Sequence, residues 1–263
     1  MGSMRKTGIV VPCYNESKRI HTDSFLAALD KEPNLSFLFV NDGSTDDTLS
    51  VLCGIREKNR ERVDVLSLEA NCGKAEAVRR GMLKLTDGPF DNVGYWDADL
   101  ATPLEAIGEF CSILDATDVT VVIGSRIRLL GRNVERNPLR HYVGRIFATC
   151  ASLLIEMVVY DTQCGAKIFK NSAPLRKVFG KPFRVNWTFD VEMLARFPLV
   201  MGCPPSRACS QWYEYPLQEW IDVKGSKVRL KDFVIGGLEF CTLFILLHTP
   251  ARKRYVDYLL ASD

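Results

Sequence analysis

The stretch VGYWDAD at residues 93–99 is an apolar run that ends in two carboxylates. Its first four residues are typical of a buried β-strand, because they are β-branched, aromatic or small and carry no charge. Asp97 and Asp99 follow at the carboxyl end of this predicted strand. Since residues two apart in an extended segment point to the same side, we expect their carboxylates to converge. The stretch therefore predicts a strand with a charged site at its end.

Strand and helix patterns alternate on both sides of this stretch. Short β-rich runs at 9–11, 37–40, 63–68, 93–96 and 119–123 predict strands. Helical patterns follow at 48–58, 75–85 and 103–114, the last with Thr102 as N-cap and Pro103 at its first position. Such alternation indicates an α/β fold, a mainly parallel sheet with helices on both faces. In these sheets, ligands bind beyond the carboxyl ends of the strands.

The second half of the sequence is less regular. Helices are predicted at 142–158, 189–196 and 230–247. No internal repeat, low-complexity tract or linker separates it from the first half. We therefore expect one compact domain with two functional halves, residues 4–125 and residues 126–263.

Composition excludes several classes of protein. The 34 Lys and Arg residues nearly balance the 32 Asp and Glu residues, so the global charge gives no indication of nucleic-acid binding. Nine cysteines without a CxxC pair favour free thiols in a reducing compartment, and we expect a cytoplasmic protein. The longest apolar stretch, 235–247, is shorter than the roughly 20 residues that span a bilayer. The helix around it fits either a core position or the membrane interface, because basic residues 252–254 follow it.

Asp97 and Asp99 are the candidate metal ligands. Two converging carboxylates repel each other unless a cation lies between or near them. Mg²⁺ and Mn²⁺ prefer such oxygen ligands, and the oxygens of a diphosphate can complete their coordination shell. The pair therefore predicts a metal site that also binds a diphosphate.

Two other strand ends carry polar and aromatic residues, PCYNE at 12–16 and NDGSTD at 41–46. An aromatic side chain there can stack on a nucleobase, and a carboxylate can accept a hydrogen bond from a base or a ribose. The same residues are also those that tight turns favour. Taken alone, each segment fits a binding role and a turn equally well.

A basic segment follows the fifth predicted strand. It contains six arginines opposed by Glu135 alone: Arg126, Arg128, Arg132, Arg136, Arg140 and Arg145. A run of charges is often only a solvated face, but guanidinium groups bind phosphate through paired hydrogen bonds. The segment therefore predicts a site for a multiply charged anion.

Taken together, these segments resemble the family 2 glycosyltransferases of the GT-A fold, and among them the polyprenyl-phosphate sugar transferases. The resemblance rests on ordered motifs: VPCYNE at 11–16, NDGS at 41–44, NCGK at 71–74, DAD at 97–99, GSR at 124–126, DTQCG at 161–165, FDVE at 189–192 and GSK at 225–227. The DTQCG and FDVE motifs resemble those of dolichyl-phosphate β-glucosyltransferases more than those of the mannosyl relatives.

The resemblance implies roles for individual residues. The nucleoside would be held by Pro12, Tyr14, Glu16 and Asp42. The metal and the donor diphosphate would be bound by Asp97, Ala98 and Asp99. Arg126 would contact the donor phosphate or the acceptor. Acceptor-binding residues would be Arg132, Arg136, Arg140, Lys224 and Lys227. The sequence departs from the family at Asn41, where an acid is usual, and at Ala75, where a glycine is usual.

The function that the resemblance implies is inverting transfer of a sugar, glucose first, from a nucleotide-diphosphate sugar to a polyprenyl (dolichyl) phosphate. A phosphomonoester is already anionic at pH 7, so such an acceptor needs positive charge and no strong base. A sugar-hydroxyl acceptor would instead need a base such as Asp190 or Asp161, and Asp161 is the candidate on the acceptor side. A sugar-nucleotide pyrophosphorylase and a non-catalytic nucleotide-sugar sensor are further alternatives. Residues 4–125 would bind the donor and residues 126–263 the acceptor.

Overall fold

A computed structural model describes residues 5–127, 129–135, 138–221 and 230–261, with backbone alone at 135, 138–143 and 230–233. The strands are β1 (Thr7–Cys13), β2 (Leu35–Asn41), β3 (Val63–Ser67), β4 (Asn92–Trp96), β5 (Val121–Ser125), β6 (Asn133–Glu135), β7 (Ala166–Lys170), β8 (Trp212–Pro216) and β9 (Glu219–Ile221). The helices are α1 (Thr22–Lys31), α2 (Thr48–Lys58), α3 (Lys74–Thr86), α4 (Ala106–Ala116), α5 (Pro138–Ile155), α6 (Ala173–Gly180), α7 (Phe189–Met201), α8 (Pro205–Cys209), α9 (Leu230–His248) and α10 (Ala251–Leu260).

Seven strands form the main sheet in the order β3-β2-β1-β4-β7-β5-β8. All neighbouring pairs are parallel except the two that β7 makes with β4 and β5. The predicted α/β fold with a mainly parallel sheet is confirmed. β6 and β9 pair separately, in parallel.

Alternating side chains of the strands build a core on each face of the sheet. On one face, Val10, Val40 and Tyr95 pack with α3, α5, α6, α7, α9 and α10. On the other face, Val11 and Trp96 pack with α1, α2 and α4. This is the period of two that a strand buried on both sides requires. β7 and β8, which come from the second half of the chain, complete a sheet begun by the first half.

Two of the differences from the sequence-based prediction lie next to the candidate site. The helix predicted from Pro103 begins at Ala106, with Glu105 as its N-cap. Thr102 is therefore not the N-cap, and its carbonyl instead accepts a hydrogen bond from the indole of Trp96 at 2.9 Å. The antiparallel strand β7 was not predicted.

Helix α7 is buried from Phe189 to Leu199 and contains an ion pair within the core. Glu192 and Arg196 are 1 % and 0 % exposed, and an Arg196 Nη2 atom lies 2.7 Å from a Glu192 oxygen. Every N–H of Arg196 has an acceptor: Glu192, the Tyr255 hydroxyl, and the carbonyls of Val178, Lys181 and Pro182. The guanidinium thus joins α6, α7 and α10 to the loop at 181–182.

We expect Arg196→Ala to lower the free energy of unfolding by about 3–5 kcal/mol, because it leaves Glu192 as an uncompensated buried charge. Urea denaturation at pH 7 measures this. Arg60→Ala is the matched control, since Arg60 pairs with Glu57 at the surface, where an ion pair contributes about 1 kcal/mol or less. Equal effects of the two substitutions would contradict the role given to the buried pair.

Candidate active site

The candidate site lies at the edge of the sheet where β1, β2, β4 and β5 end. Because β7 runs antiparallel to β4, it begins at this same edge, with Ala166 opposite Trp96. The loop at 161–165 that precedes β7 therefore lies beside Asp97. The antiparallel strand thus brings the DTQCG motif to the DAD motif.

Asp97 lies directly against this loop. Its backbone N–H donates to the carbonyl of Gly165 at 3.1 Å. A Cβ atom on residue 165 would lie 1.9 Å from a carboxylate oxygen of Asp97, so any other residue there would displace the Asp97 side chain from its present position. The sequence predicted Asp99 in an extended segment, but the residue lies in a turn. The backbone N–H of Ala101 closes this turn by donating to the carboxylate of Asp99 at 3.1 Å. The turn requires a positive φ of 54° at Leu100.

The two carboxylates nevertheless interact. Burial, and then the negative charge of Asp97, raise the pKa of Asp99. The ammonium group of Lys74, the first residue of α3, lies 2.5 Å from Asp97 Oδ1. Burial opposes the charge of Lys74, but Asp97 and Asp190 outweigh it and raise the pKa of the lysine. Lys74 is therefore a cation held next to the predicted metal ligands.

A second layer of charge lies beneath Asp97. Lys167 on β7 is fully buried, and its ammonium group donates to Asp190 at 2.6 Å and to the carbonyl of Cys164 at 2.5 Å. The hydroxyl of Tyr95 donates to the same Asp190 oxygen. Burial and the charge of Asp190 raise the pKa of Tyr95, so the phenol stays protonated. Both Asp190 and Lys167 thus have charged partners, and the layer holds the floor of the site in place.

The predicted nucleoside residues surround the ends of β1 and β2. The carboxylate of Asp42 accepts from the N–H groups of Cys72 and Gly73 at 2.8 and 2.9 Å, which fixes the loop that leads to Lys74. Asn41, where the family usually has an acid, donates instead to Ser67 at 2.9 Å. The side chains therefore shape the loops of the donor half through specific hydrogen bonds.

The rest of the nucleoside end is partly open. The ring of Tyr14 is 36 % exposed, and Pro12 next to it is half-buried. Glu16 binds Arg19 through both carboxylate oxygens, at 2.7 and 2.8 Å. The hydrogen bonds to Glu16 raise the pKa of Arg19, to which the charge of Asp99 also contributes. The predicted nucleoside residues and the Asp97–Asp99 turn are thus parts of one site.

Arg126 and Asp161 form a paired ion bridge on the other side of Asp97. The Nε and Nη2 atoms of Arg126 donate to the two oxygens of Asp161 at 2.6 and 2.7 Å. Burial opposes the charge of Arg126, but Asp161 outweighs it, and with a contribution from Asp97 the pKa of Arg126 is raised. The guanidinium also lies 5.5 Å from the ring centroid of Trp220. The bridge therefore holds the guanidinium of Arg126 in a fixed orientation near Asp97.

Glu214 on β8 supports this bridge from below. Its carboxylate oxygens accept from the backbone N–H groups of Tyr160 and Asp161 at 2.8 and 2.6 Å. One residue before Asp161, the ring of Tyr160 lies 3.5 Å from the guanidinium carbon of Arg145. A second arginine of the basic segment thus reaches the acceptor side.

The other predicted acceptor residues are only partly described. Arg132 is half-buried. Burial raises the pKa of Tyr215 to about 12, and the positive charge of Arg132 opposes this rise. Arg140 lies in α5, but its side chain is not among those described. Arg136, Lys224 and Lys227 lie outside the described residues, so their roles stay predictions.

Sequence reasoning missed several residues of the site. Lys74 stood in a recognised motif without an assigned role. Lys167 was assigned no position or role, and nothing local in the sequence indicates its burial. Glu214 and Trp220 lie far along the chain from the motifs that they support. The only available signal was that the DTQCG motif carries an acid and a glycine immediately before an apolar run.

Comparison with known proteins agrees with this geometry. Residues 8–179 match the family model described as Glycosyl transferase family 2. The chain belongs to this family. It is 32 % identical over 236 residues to a dolichyl-phosphate beta-glucosyltransferase of Drosophila melanogaster, covering 82 % of this chain and 71 % of the relative. It is 30 % identical over 252 residues to one of Trichomonas vaginalis, covering 91 % and 71 %.

Solved structures show the same fold at lower identity. Glucosyl-3-phosphoglycerate synthase from Mycobacterium tuberculosis, in complex with Mn²⁺ and uridine-diphosphate-glucose, superposes with a TM-score of 0.64 at 16 % identity, covering 94 % of this chain and 80 % of that one. The same enzyme in complex with UDP superposes with a TM-score of 0.62 at 16 % identity, covering 92 % and 79 %. The glycosyltransferase is thus a GT-A protein, as its motifs predicted.

The residues present fit a divalent cation that is shared with a diphosphate. Within the described part of the chain, no group of three or more His, Cys, Asp or Glu side chains is arranged to hold a metal ion. Asp97 and Asp99 supply two carboxylates, and burial, followed by the charge of Asp97, raises the pKa of Asp99. A cation bound there would need further oxygens, which a donor diphosphate has.

We expect Asp97→Asn and Asp99→Asn each to lower turnover by at least roughly a hundredfold, because a Lewis-acid metal contributes several kcal/mol to catalysis. Steady-state transfer rates, with circular dichroism to confirm folding, measure this. Asp115→Asn is the matched control, since Asp115 pairs with Arg5 at the surface. Full activity of the unaltered enzyme in EDTA would refute the metal assignment.

Asp99→Asn should at the same time stabilise the metal-free fold at neutral pH. The raised pKa of Asp99 means that its ionised form is less favourable in the folded chain than in the unfolded chain. The gain in melting temperature should shrink as the pH falls through this raised pKa, and should vanish below the unfolded value of about 3.9. Thermal unfolding in EDTA across this pH range measures it. Asp46→Asn should do the opposite, because hydrogen bonds from Ser17 and Thr48 outweigh burial and lower the pKa of Asp46 to about 2. A loss of stability in Asp99→Asn at pH 7 would contradict the argument.

Proposed function

We propose that this glycosyltransferase moves glucose from UDP-glucose to a polyprenyl phosphate, with inversion at the anomeric carbon. The observation that carries the proposal is the Arg126–Asp161 bridge, which holds a guanidinium group in place near Asp97, on the side away from the nucleoside loops. Relatives about 30 % identical to the chain are named dolichyl-phosphate beta-glucosyltransferases, which supports a lipid-phosphate acceptor.

The donor would bind along the ends of β1, β2 and β4. Tyr14 and Asp42 line the nucleoside end, and the Asp97–Asp99 turn lies at the diphosphate end. A Mg²⁺ or Mn²⁺ ion there would act as a Lewis acid on the leaving diphosphate. Lys74 is placed to share the same charge, since its ammonium group already contacts Asp97 and carries three donors. The complex of a structural relative with Mn²⁺ and UDP-glucose supports this choice of donor.

The acceptor would approach from the Arg126 side. A phosphomonoester has a second pKa of about 6, so its oxygen is nucleophilic at neutral pH without a base. Asp161 has both oxygens bound to Arg126, and its backbone N–H is held by Glu214. This geometry favours an acceptor-side role for Asp161, which orients Arg126, over removal of a proton. What the site supplies is charge that brings two anions together.

A sugar-hydroxyl acceptor is the second candidate. It has less support, because the carboxylate of Asp190 beneath Asp97 is bound by Lys167 and Tyr95 and would need to be freed to act as a base. The pyrophosphorylase alternative loses its support, because the chain belongs to a glycosyl transferase family.

We expect transfer to a short polyprenyl phosphate, and little or none to the parent polyprenol. Arg126→Ala should lower kcat/KM for the phosphate acceptor by roughly ten- to a hundredfold, the loss expected when a charged hydrogen-bond donor worth about 1.5–3 kcal/mol is removed. Arg126→Lys should retain part of the activity, because it keeps the charge and loses the paired geometry. Transfer of radiolabelled glucose measures these effects.

Arg207→Ala, at an exposed position in α8, serves as the control for loss of an arginine. Hydrolysis of UDP-glucose in the absence of acceptor shows whether the donor site remains intact. Equal transfer to the alcohol and to the phosphate would end the lipid-phosphate proposal. Transfer that requires a deprotonated side chain near the pKa of a carboxyl group would favour the hydroxyl acceptor instead.

A further inference from the structure

Residues 234–248 of α9 have the reverse of the usual polarity of a surface helix. Their one acidic side chain, Glu239, faces the protein. Its carboxylate accepts from the backbone N–H groups of Asn186, Trp187 and Thr188 at 2.9, 3.1 and 2.8 Å, and from the Thr188 hydroxyl at 2.8 Å. The one acidic side chain of this segment therefore binds the protein, and the outer face of the helix carries apolar residues.

The outer face of α9 is a stripe of Val234, Leu238, Cys241 and Ile245. The spacings of four, three and four residues place all of them on one side of the helix. Val234, Leu238 and Ile245 are 65 %, 66 % and 52 % exposed. Exposing an apolar helix face to water is unfavourable, and such a face is typical of an interaction surface.

Helix α5 repeats this pattern. Ile146, Cys150 and Leu153 are exposed at spacings of four and three, and Val158 just beyond the helix is 99 % exposed. Ile146 and Leu153 are 67 % and 74 % exposed. Two separate helices thus present apolar stripes to the outside.

The two stripes lie on the same side of the protein. The rings of Phe147 and Phe240 are 4.9 Å apart, and seven or eight residues further along His248 Nε2 lies 2.7 Å from the carbonyl of Leu154, so α5 and α9 run side by side in the same direction. An α-helix has 3.6 residues per turn, so the contacting residues of each helix lie roughly a quarter turn around the helix axis from its apolar stripe. In α5 this quarter turn runs in one sense, and in α9 it runs in the opposite sense. Parallel helices that touch in this way turn both stripes outward together, and we call this surface the α5–α9 face.

Basic residues border the α5–α9 face. Helix α10 begins three residues after α9 ends, bent by 87° from it. Arg252, Lys253 and Arg254 in its first turns are exposed, whereas Tyr255 and Leu259 are buried against the protein. Among the described residues, no single helix is long and apolar enough to cross a bilayer; α9 and α10 pass that test only as a bent pair. The buried contacts of α10 hold it on the protein.

We propose that the α5–α9 face docks on the surface of an anionic lipid bilayer, with Arg252, Lys253 and Arg254 at the headgroups. Apolar stripes with a basic border have the chemistry of an interfacial membrane surface. The inference goes beyond the transfer reaction and rests on the proposed function in one respect: a polyprenyl-phosphate acceptor lies in a bilayer.

The face is also rigidly connected to the acceptor side of the site. Near the start of α5, Arg145 stacks on Tyr160, the residue before Asp161. From α9, Glu239 holds residues 186–188, which lead directly into α7 and Asp190. Docking through this face therefore holds the Arg126–Asp161 bridge at a fixed height above the lipid headgroups.

Vesicle flotation with the full chain tests the proposal without any acceptor. We expect binding to vesicles of phosphatidylcholine with phosphatidylserine, and weaker binding to phosphatidylcholine alone. The double variant Leu238→Glu with Ile245→Glu should weaken binding to the anionic vesicles by about tenfold or more, because charges in the stripe cannot enter the interface. Replacing Arg252, Lys253 and Arg254 with Gln should remove the preference for the anionic lipid.

Met201→Glu is the matched control, since Met201 is 42 % exposed at the end of α7, outside both stripes; it should bind as the unaltered chain does. Donor hydrolysis in solution should be the same in all variants and reports their folding. Failure of the unaltered chain to bind vesicles, or binding unaffected by the stripe variant, overturns the proposal. So does a stripe variant that converts a dimer to a monomer in light scattering without changing vesicle binding. Absence of transfer to polyprenyl phosphate with vesicle binding intact would count against the proposed function alone.

Discussion

The contact between Asp97 and Gly165 is the constraint on which the rest of the site depends. The carboxylate of Asp97 lies where any other residue at position 165 would place a side chain, and the Asp97 N–H donates to the Gly165 carbonyl at 3.1 Å. This contact is possible only because β7 enters the sheet against the direction of its neighbours. One reversed strand thereby joins the ends of β1 to β4 with β5, β8 and the 161–165 loop.

The charges around that contact are arranged in pairs. Lys74 neutralises Asp97, Lys167 neutralises Asp190 and Arg126 neutralises Asp161, each at a hydrogen-bonding distance. Asp99 has a raised pKa and no cation in direct contact among the described side chains. Glu214 also has a raised pKa, because burial outweighs the hydrogen bonds that its carboxylate accepts. The carboxylate of Asp99 thus lies without a contacting cation in the turn where a divalent cation is expected.

Much of the donor half could be predicted from sequence, because its strands and helices follow their own periodicity. The α2 bounds agree with the prediction, and β1 to β5 differ from it by a few residues at their ends. β7 was missed because Lys167 and Lys170 interrupt its apolar residues, and only the tertiary pairing with Asp190 makes a fully buried lysine tolerable. Asp99 was placed in an extended segment because a two-residue spacing carries no sign of the positive φ at Leu100 that closes the turn. Residues joined through space and not along the chain, such as Glu214 beneath Asp161, leave no local pattern to find.

The two apolar stripes of the α5–α9 face each contain one exposed thiol, Cys150 and Cys241. Protein copies that meet through these stripes in an oxidising buffer bring such thiols together, and a thiolate on one copy can be linked to another once an oxidant is present. The covalent dimer that results would be a trapped encounter and not a native assembly. The oligomeric state of this chain should therefore be measured under reducing conditions. Under these conditions, the reactivity of the same two thiols reports how accessible the apolar stripes are to water.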